Sequence, residues 1–379
     1  MLPFTHHRPP ASRTAGFSLI EIMVGMVIGM LGIIIMMQVF SLFEGQKRTT
    51  GGGSEAQNNG AIALFGLVRD IRQAGYGIDA YNLAGCDLTL RAGVTISNAL
   101  TPVTINHPAI PPGDSNTDTL LVIYGNSGTS PEGISISSQP STNIYQVGAP
   151  TNFFAANDWV IAEPQSRPAT CSMTLDQVQS SASTGSPATA NITVTTGTSG
   201  VSQGMLYDLG PSPKILAYAV RSGNLTVCDY MVKNCGDTTP SVVSDPAVWV
   251  PVANNIVSLQ AQYGHDTLTP PTPPAGQTSY IVDTYDKATP TNACGWVRTP
   301  AIRVALVARN AHYEKNGGTA AAPLFATSSY PTWAGGQSIN LGPNPNSATD
   351  QSWKHYRYKV FQTTIAIRDT AWLGVQSGC

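Results

Sequence analysis

The chain has 379 residues, 42% of them hydrophobic and 11% charged, enough for one large or two modest globular units with buried cores. A formal net charge of -2 provides no basic field of the kind that gathers phosphates, so bulk charge indicates no nucleic-acid partner. Its 36 glycines and 28 prolines, with Ser, Thr and Asn between short apolar runs, read as a β-rich chain with many turns.

The opening segment, MLPFTHHRPPASRTAG, carries Arg8 and Arg13 as fixed charges and no acid. From Ile22 to Phe43 there are 22 residues without a charged side chain, and about 20 apolar residues cross a bilayer as a helix. The positive flank keeps the N-terminal end cytoplasmic and exports the chain beyond Phe43. No A-x-A-like site closes the apolar run, as it would in an ordinary secretory signal. Gly25 and Gly29 form a G-x-x-x-G step, which either lets membrane helices pack closely or is tolerated in a lone lipid anchor.

Glu21 is the one carboxylate at the head of this run. Its insertion costs about 2.5–3.5 kcal/mol at the bilayer centre and less near an interface. Two readings stand. Glu21 is an interfacial side chain reaching headgroups, or, if the chain is cut between Gly16 and Phe17, it partners the new ammonium of Phe17 on its own or a neighbouring subunit.

After Phe43, Leu64, Leu67, Val68 and Ile71 fall on one helical stripe with Arg69, Arg72 and Gln73 off it, which predicts an amphipathic helix packed on the chain's own β-sheet. Ser54 and Gln57 fit a capping box, and Gly51, Gly52 and Gly53 just before them predict a break between this helix and the membrane span. Gly75 and Gly77 predict its end.

Beyond residue 80 the runs at 118–125, 158–163, 191–196, 214–230, 254–264, 301–309 and 355–369 read as strands, with a tight hairpin turn at Ser222, Gly223 and Asn224. The alternation in 302–309 and 356–368 suits an antiparallel sheet with one face covered by the helix. Segments 265–280 and 311–352 read as surface loops, and Trp333, Trp353 and Trp372 as core or loop anchors.

Cys86, Cys171, Cys228, Cys235, Cys294 and Cys379 form an even set without C-x-x-C spacing, which argues against zinc and, in an exported chain, for disulfides. Cys228 and Cys235 are close enough to close a hairpin-scale loop; the other four leave three pairings open. No catalytic pattern emerges. His6 and His7 lie in the opening segment, and His107, His265, His312 and His355 stand in no H-E-x-x-H; neither G-x-S-x-G nor a P-loop is present. No enzyme activity, cofactor or metal is expected.

The stretch GFSLIEIMVGMVIG, residues 16–29, resembles the class III signal and methylation motif of type IV prepilins. The resemblance implies a leader, residues 1–16, removed by prepilin peptidase between Gly16 and Phe17, N-methylation of Phe17, and a subunit-assembly role for Glu21. Four further segments, RDIRQAGYG (69–77), NIVSLQAQYGHDT (255–267), RVALVARN (303–310) and WKHYRYKVFQTTIAIRD (353–369), resemble the PilW-like minor pilins. In related sequences the second of these often continues into an Asp/Asn/Gly-rich turn able to hold calcium. Here Thr, Leu and prolines come after Asp266, and the next acids are Asp283 and Asp286, so solvated loop carboxylates are expected instead.

The combined expectation is an α+β, pilin-like fold with a long N-terminal helix packed on an antiparallel β-sheet head with large loops. Its parts are a cleaved leader (1–16), a transmembrane and assembly helix (17–43), an amphipathic stalk helix (44–77) and a β-rich extracytoplasmic head (78–379). The implied function is a minor pilin in type IV pilus assembly or priming, first in the inner membrane with a periplasmic head and then in the pilus, supporting twitching. Expected partners are other minor pilins, the major pilin and prepilin peptidase, with a tip adhesin as a further candidate. The rivals are a pseudopilin of type II secretion and a membrane-anchored extracytoplasmic enzyme or sugar-binding adhesin.

Overall fold

The structure is a computed structural model and describes residues 16, 18–78, 81–91, 94–185, 189–268, 281–314, 317–319, 322–333, 337–342, 351–367 and 379. The chain divides into two compact units at the Gly52/Gly53 junction.

A single helix runs from Leu19 to Gln73, 55 residues. It passes through Gly51, Gly52 and Gly53 without interruption, so the predicted break and the capping box at Ser54 and Gln57 are corrected. The physical reason is cooperativity: each glycine costs about 1 kcal/mol relative to alanine, but extending a formed helix needs no new nucleus. The helix ends where left-handed backbone is required, at Gly75 (φ 90°) and Gly77 (φ 85°). In the first unit, the 23 residues Leu19–Ser41 are long and apolar enough to cross a membrane, and none of that span is buried.

The second unit departs from the expected fold class. Among the described residues there are 19 strands, in an eight-stranded, a five-stranded and a four-stranded sheet plus a two-stranded hairpin. The other α-helices, Pro240–Val243 and Ala293–Val297, are about one turn each. The molecule is mostly β, and the α+β, pilin-like picture of one long helix on one antiparallel sheet is overturned. Nor is the pairing wholly antiparallel, since Asp87–Arg91 runs parallel to Ser172–Ser183 in register Asp87↔Ser172.

The five-stranded sheet orders Val250–Ala253, Asn224–Asp229, Lys214–Arg221, Leu120–Tyr124 and Val103–Ile105. The hairpin between its second and third strands turns through Ser222 (φ 51°) and Gly223 (φ 72°), with Arg221 opposite Asn224. Two successive positive φ values give the twist that fits a tight antiparallel hairpin. One face of this sheet (Val103, Val122, Tyr218, Val220) packs with Ala63, Leu67 and Ile71 of the helix. Its other face (Leu121, Ile123, Ala217, Ala219) packs on Leu88, Leu90, Ile96 and Trp249. Burial on both sides explains why Leu120–Tyr124 is apolar throughout rather than alternating.

The four-stranded sheet orders Thr284–Asp286, Ile256–His265, Ala301–Arg309 and Tyr358–Ala366. Ile302, Val304 and Leu306 join the helix-side core, whereas Ala305 and Val307 meet Trp333 and Ile339. The helix thus covers one face as expected, and Trp333 and Ile339 pack on the second. The 311–352 segment forms the hairpin Gly317–Thr319 and Ala322–Leu324 rather than only loop. Trp333 and Trp353 are buried; Trp372 and residues 269–280 lie outside the described residues.

The eight-stranded sheet contains a ring. Starting at Ser172–Ser183, pairing proceeds through Trp159–Glu163, Met205–Gly210, Ile134–Ser141, Ile144–Val147 and Ala190–Val194, and the last pairs back with the first. The small barrel so closed is filled by Ile136, Tyr145, Val160, Val178, Ile192 and Leu206. Ring closure leaves no free edges in those six strands, so Ser- and Thr-rich strands persist without templating aggregation.

Candidate functional site

The N-terminal site begins at Gly16, which is exposed; Phe17 and the rest of the expected leader lie outside the described residues. The Glu21 carboxylate accepts from the backbone N–H of Ser18 at 3.4 Å, and the Ser18 hydroxyl accepts from the N–H of Ile20 at 3.3 Å. Ser18 and Glu21 therefore build a reciprocal cap on the first turn of the helix, a motif written in the sequence as S-x-x-E. Orphan N–H groups at a helix start carry partial positive charge, so a carboxylate is favourable there. Headgroups and an amine are the partners that the sequence position of Glu21 suggests; the Ser18 cap is a third, which sequence reasoning missed. Glu21 remains exposed, and along the apolar span Gly25, Gly29 and Gly32 have open space where a side chain would stand.

In the second unit a buried polar knot fixes the end of the helix to the sheet. Asp70, 2% exposed, accepts from the Tyr124 hydroxyl at 3.2 Å, from the Tyr218 hydroxyl, and from Arg69 at 3.0 Å. Earlier on the same helix, Gly60 lies so close beneath the Phe361 ring that a Cβ would overlap it, so a larger residue there would have to displace the ring. Tyr263 ties the four-stranded sheet to the five-stranded one, its hydroxyl accepting from the Ile105 N–H at 2.7 Å.

Burial raises the phenol pKa of Tyr124, Tyr218, Tyr230, Tyr263 and Tyr358, with Tyr263 pushed up to about 12; the Asp70 charge adds to burial at Tyr124 and Tyr218. Unfolded tyrosine loses its proton near pH 10, so above that pH the unfolded chain binds fewer protons than the folded one and stability falls as pH rises. Circular dichroism of the full chain in detergent should show a thermal midpoint insensitive to these groups up to about pH 9 and falling steeply above about pH 10; a flat midpoint to pH 11 would contradict the burial of these phenols.

The six cysteines form three disulfides, Cys86–Cys171, Cys228–Cys235 and Cys294–Cys379. Spacing alone leaves the first and third open. Cys86 and Cys171 immediately precede the parallel register pair Asp87↔Ser172, and the Tyr81 hydroxyl lies 3.3 Å from Cys294 Sγ and 3.4 Å from Cys379 Sγ.

Three of the described histidines are engaged structurally. His107 is buried between the Ser97 carbonyl (2.6 Å) and the Ala109 N–H (3.0 Å), His265 contacts Thr299 and Asp286, and His355 contacts the Glu314 carbonyl and stacks on Tyr313. His312 is exposed. Asp283 accepts from Thr267 and Asp286 from Ala288 and His265, while Asp266 is buried; no group of three His, Cys, Asp or Glu residues is spaced for a metal among the described residues.

The geometry therefore presents an apolar helix and a β-rich unit crosslinked by disulfides. Residues 229–369 match the family model for Type IV Pilus-assembly protein W. The match supports a type IV pilus-related family, with pilus machinery as the class of partner. It takes in the four-stranded sheet and the segments 255–267, 303–310 and 353–369, but not 69–77. No curated protein and no solved structure matches the chain.

Proposed function

We propose that the chain is a minor pilin that takes part in assembling or priming a type IV pilus, acting by subunit contacts rather than catalysis. The observation that carries the reading is the joining of a pilus-assembly match at 229–369 to an N-terminal apolar helix headed by a single exposed carboxylate, Glu21. In this reading prepilin peptidase cuts between Gly16 and Phe17 on the cytoplasmic side. Phe17 is N-methylated, and the chain waits in the inner membrane with its head in the periplasm. Glu21 then exchanges its Ser18 cap for the Phe17 ammonium of a neighbour, and the helices stack with other minor pilins and the major pilin. The pilus match favours this over a secretion pseudopilin or an anchored adhesin or enzyme.

Mass spectrometry of membrane-extracted protein tests the processing step: the N-terminus is expected to be N-methylated Phe17. Glu21→Ala should leave cleavage intact while lowering the amount of the subunit in sheared pili about thirtyfold or more, the loss that removal of one partner of a desolvated charge pair produces. An intact Met1 terminus in cells with active peptidase, or wild-type incorporation of Glu21→Ala, would overturn the reading.

A further inference from the structure

A cleft of about 540 Å³ opens in the second unit where the Ser222–Gly223 hairpin turn, Asp114, Arg309, Trp353 and Tyr356 meet. Its volume lies in the range of sites that hold small groups or inserted side chains. Arg309, the last residue of the strand Ala301–Arg309, lays its guanidinium over the Tyr356 ring, 4.5 Å from the centroid. Its Nε is buried and has no acceptor.

The surrounding charges are already committed. Asp114, the carboxylate at the rim, accepts from the backbone N–H groups of Ser222 at 2.9 Å and Gly223 at 2.7 Å. The neighbouring Arg357 is held by both oxygens of Glu314, at 2.7 and 3.1 Å. Arg309 has no such carboxylate among the described residues, although it is half-buried. A guanidinium fork in a partly water-excluded cleft is matched best by a planar carboxylate taken in two parallel hydrogen bonds. Arg flanked by Trp and Tyr is also the composition that recurs where one protein anchors another.

We propose that this cleft is a docking site for a carboxylate-bearing side chain of a partner polypeptide, with Arg309 gripping the carboxylate and Tyr356 and Trp353 packing its stem. The proposal rests on the pilus-assembly reading only in taking the partner to be another subunit of that machinery; the charge chemistry stands apart from it.

The test places a photoreactive residue at Ser115, an exposed position on the cleft rim, in the full chain in its own membranes. Irradiation should give an adduct with a second polypeptide whose crosslinked peptide contains Asp or Glu. Arg309→Gln should lower its yield about tenfold or more, Arg309→Lys less so. Arg303→Gln, which removes a guanidinium stacked 3.5 Å over Tyr285 on the same strand, should leave it unchanged. Arg309→Glu combined with Arg in place of the partner's acid should restore the adduct, which excludes simple misfolding of the single variant. The proposal is overturned by an adduct that ignores Arg309→Gln, by one within the same chain, by one to a saccharide or to a peptide without an acid, or by none. If pili persist in a strain lacking the gene while the Arg309-dependent adduct forms, the pilus reading fails and the docking site stands; lost pili with no such adduct give the reverse.

Discussion

Replacing Asp70 by Ala should lower the stability of the second unit by about 3–5 kcal/mol, because it strips the acceptor from a buried, charged hydrogen-bond knot. The Tyr124 and Tyr218 hydroxyls would be left in the core without a partner, each costing about 1–3 kcal/mol when unsatisfied, and the helix end would lose its polar lock on the sheet. Arg69 adds little to this figure, since its side chain is 64% exposed and its pairing is solvent-screened. Asp70→Asn keeps an acceptor oxygen and should cost less than half as much, and Asp70→Ala with both tyrosines changed to Phe should recover part of the loss. Denaturant midpoints of the full chain in detergent, followed by the β signal in circular dichroism, measure all three. Equal midpoints for Asp70→Ala and the wild type would show that the knot does not hold the helix.

The second large effect is expected from the Cys86–Cys171 crosslink, whose residues are 85 apart in sequence. Closing a loop of that size restricts the unfolded chain by about 4–5 kcal/mol in the chain-entropy model, against about 2–3 kcal/mol for a loop the size of that between Cys228 and Cys235. The position makes the loss local as well as global. A parallel pair cannot be joined by a tight turn, and here the bridge sets the ends of the two strands side by side one residue before Asp87↔Ser172. The double variant Cys86→Ala/Cys171→Ala should therefore exchange the backbone amides of residues 87–89 faster by orders of magnitude than those of residues 216–220, besides unfolding at lower denaturant. Protection in residues 87–89 that survives loss of the bridge would place the register information in the strands themselves.

Much of the local structure was legible because local chemistry determines it. The apolar span, the strands at 120–124, 214–221 and 301–309 and the Ser222–Gly223 turn all carry their own signal in β-branched runs and turn residues. What escaped depends on partners distant in sequence. Ile134–Ser141 and Ser172–Ser183 are rich in Ser and Gln and carry no apolar run to mark them as strands; they pair because the barrel closes around Tyr145 and Leu206. That closure also separates the fold from the α+β expectation: apolar runs alone suggest a single antiparallel head sheet, and only Trp159–Glu163 and Ala190–Val194 of the largest sheet carry such runs. At the sites, Asp70 stood in view beside the Leu67 and Ile71 stripe, an acid on a helix face that must be buried, yet its tyrosine partners lie 54 and 148 residues away. The Ser18 cap on Glu21 was readable from the S-x-x-E spacing, but a lone acid beside a membrane span points first to lipid or to another subunit.

Whether this subunit is needed to assemble a pilus is tested most directly by electron microscopy of a strain lacking the gene, counting surface pili per cell against the parent and a complemented strain. Near-complete loss of surface pili, restored by the wild-type gene, is the expected result; undiminished piliation in the deletion strain would contradict it.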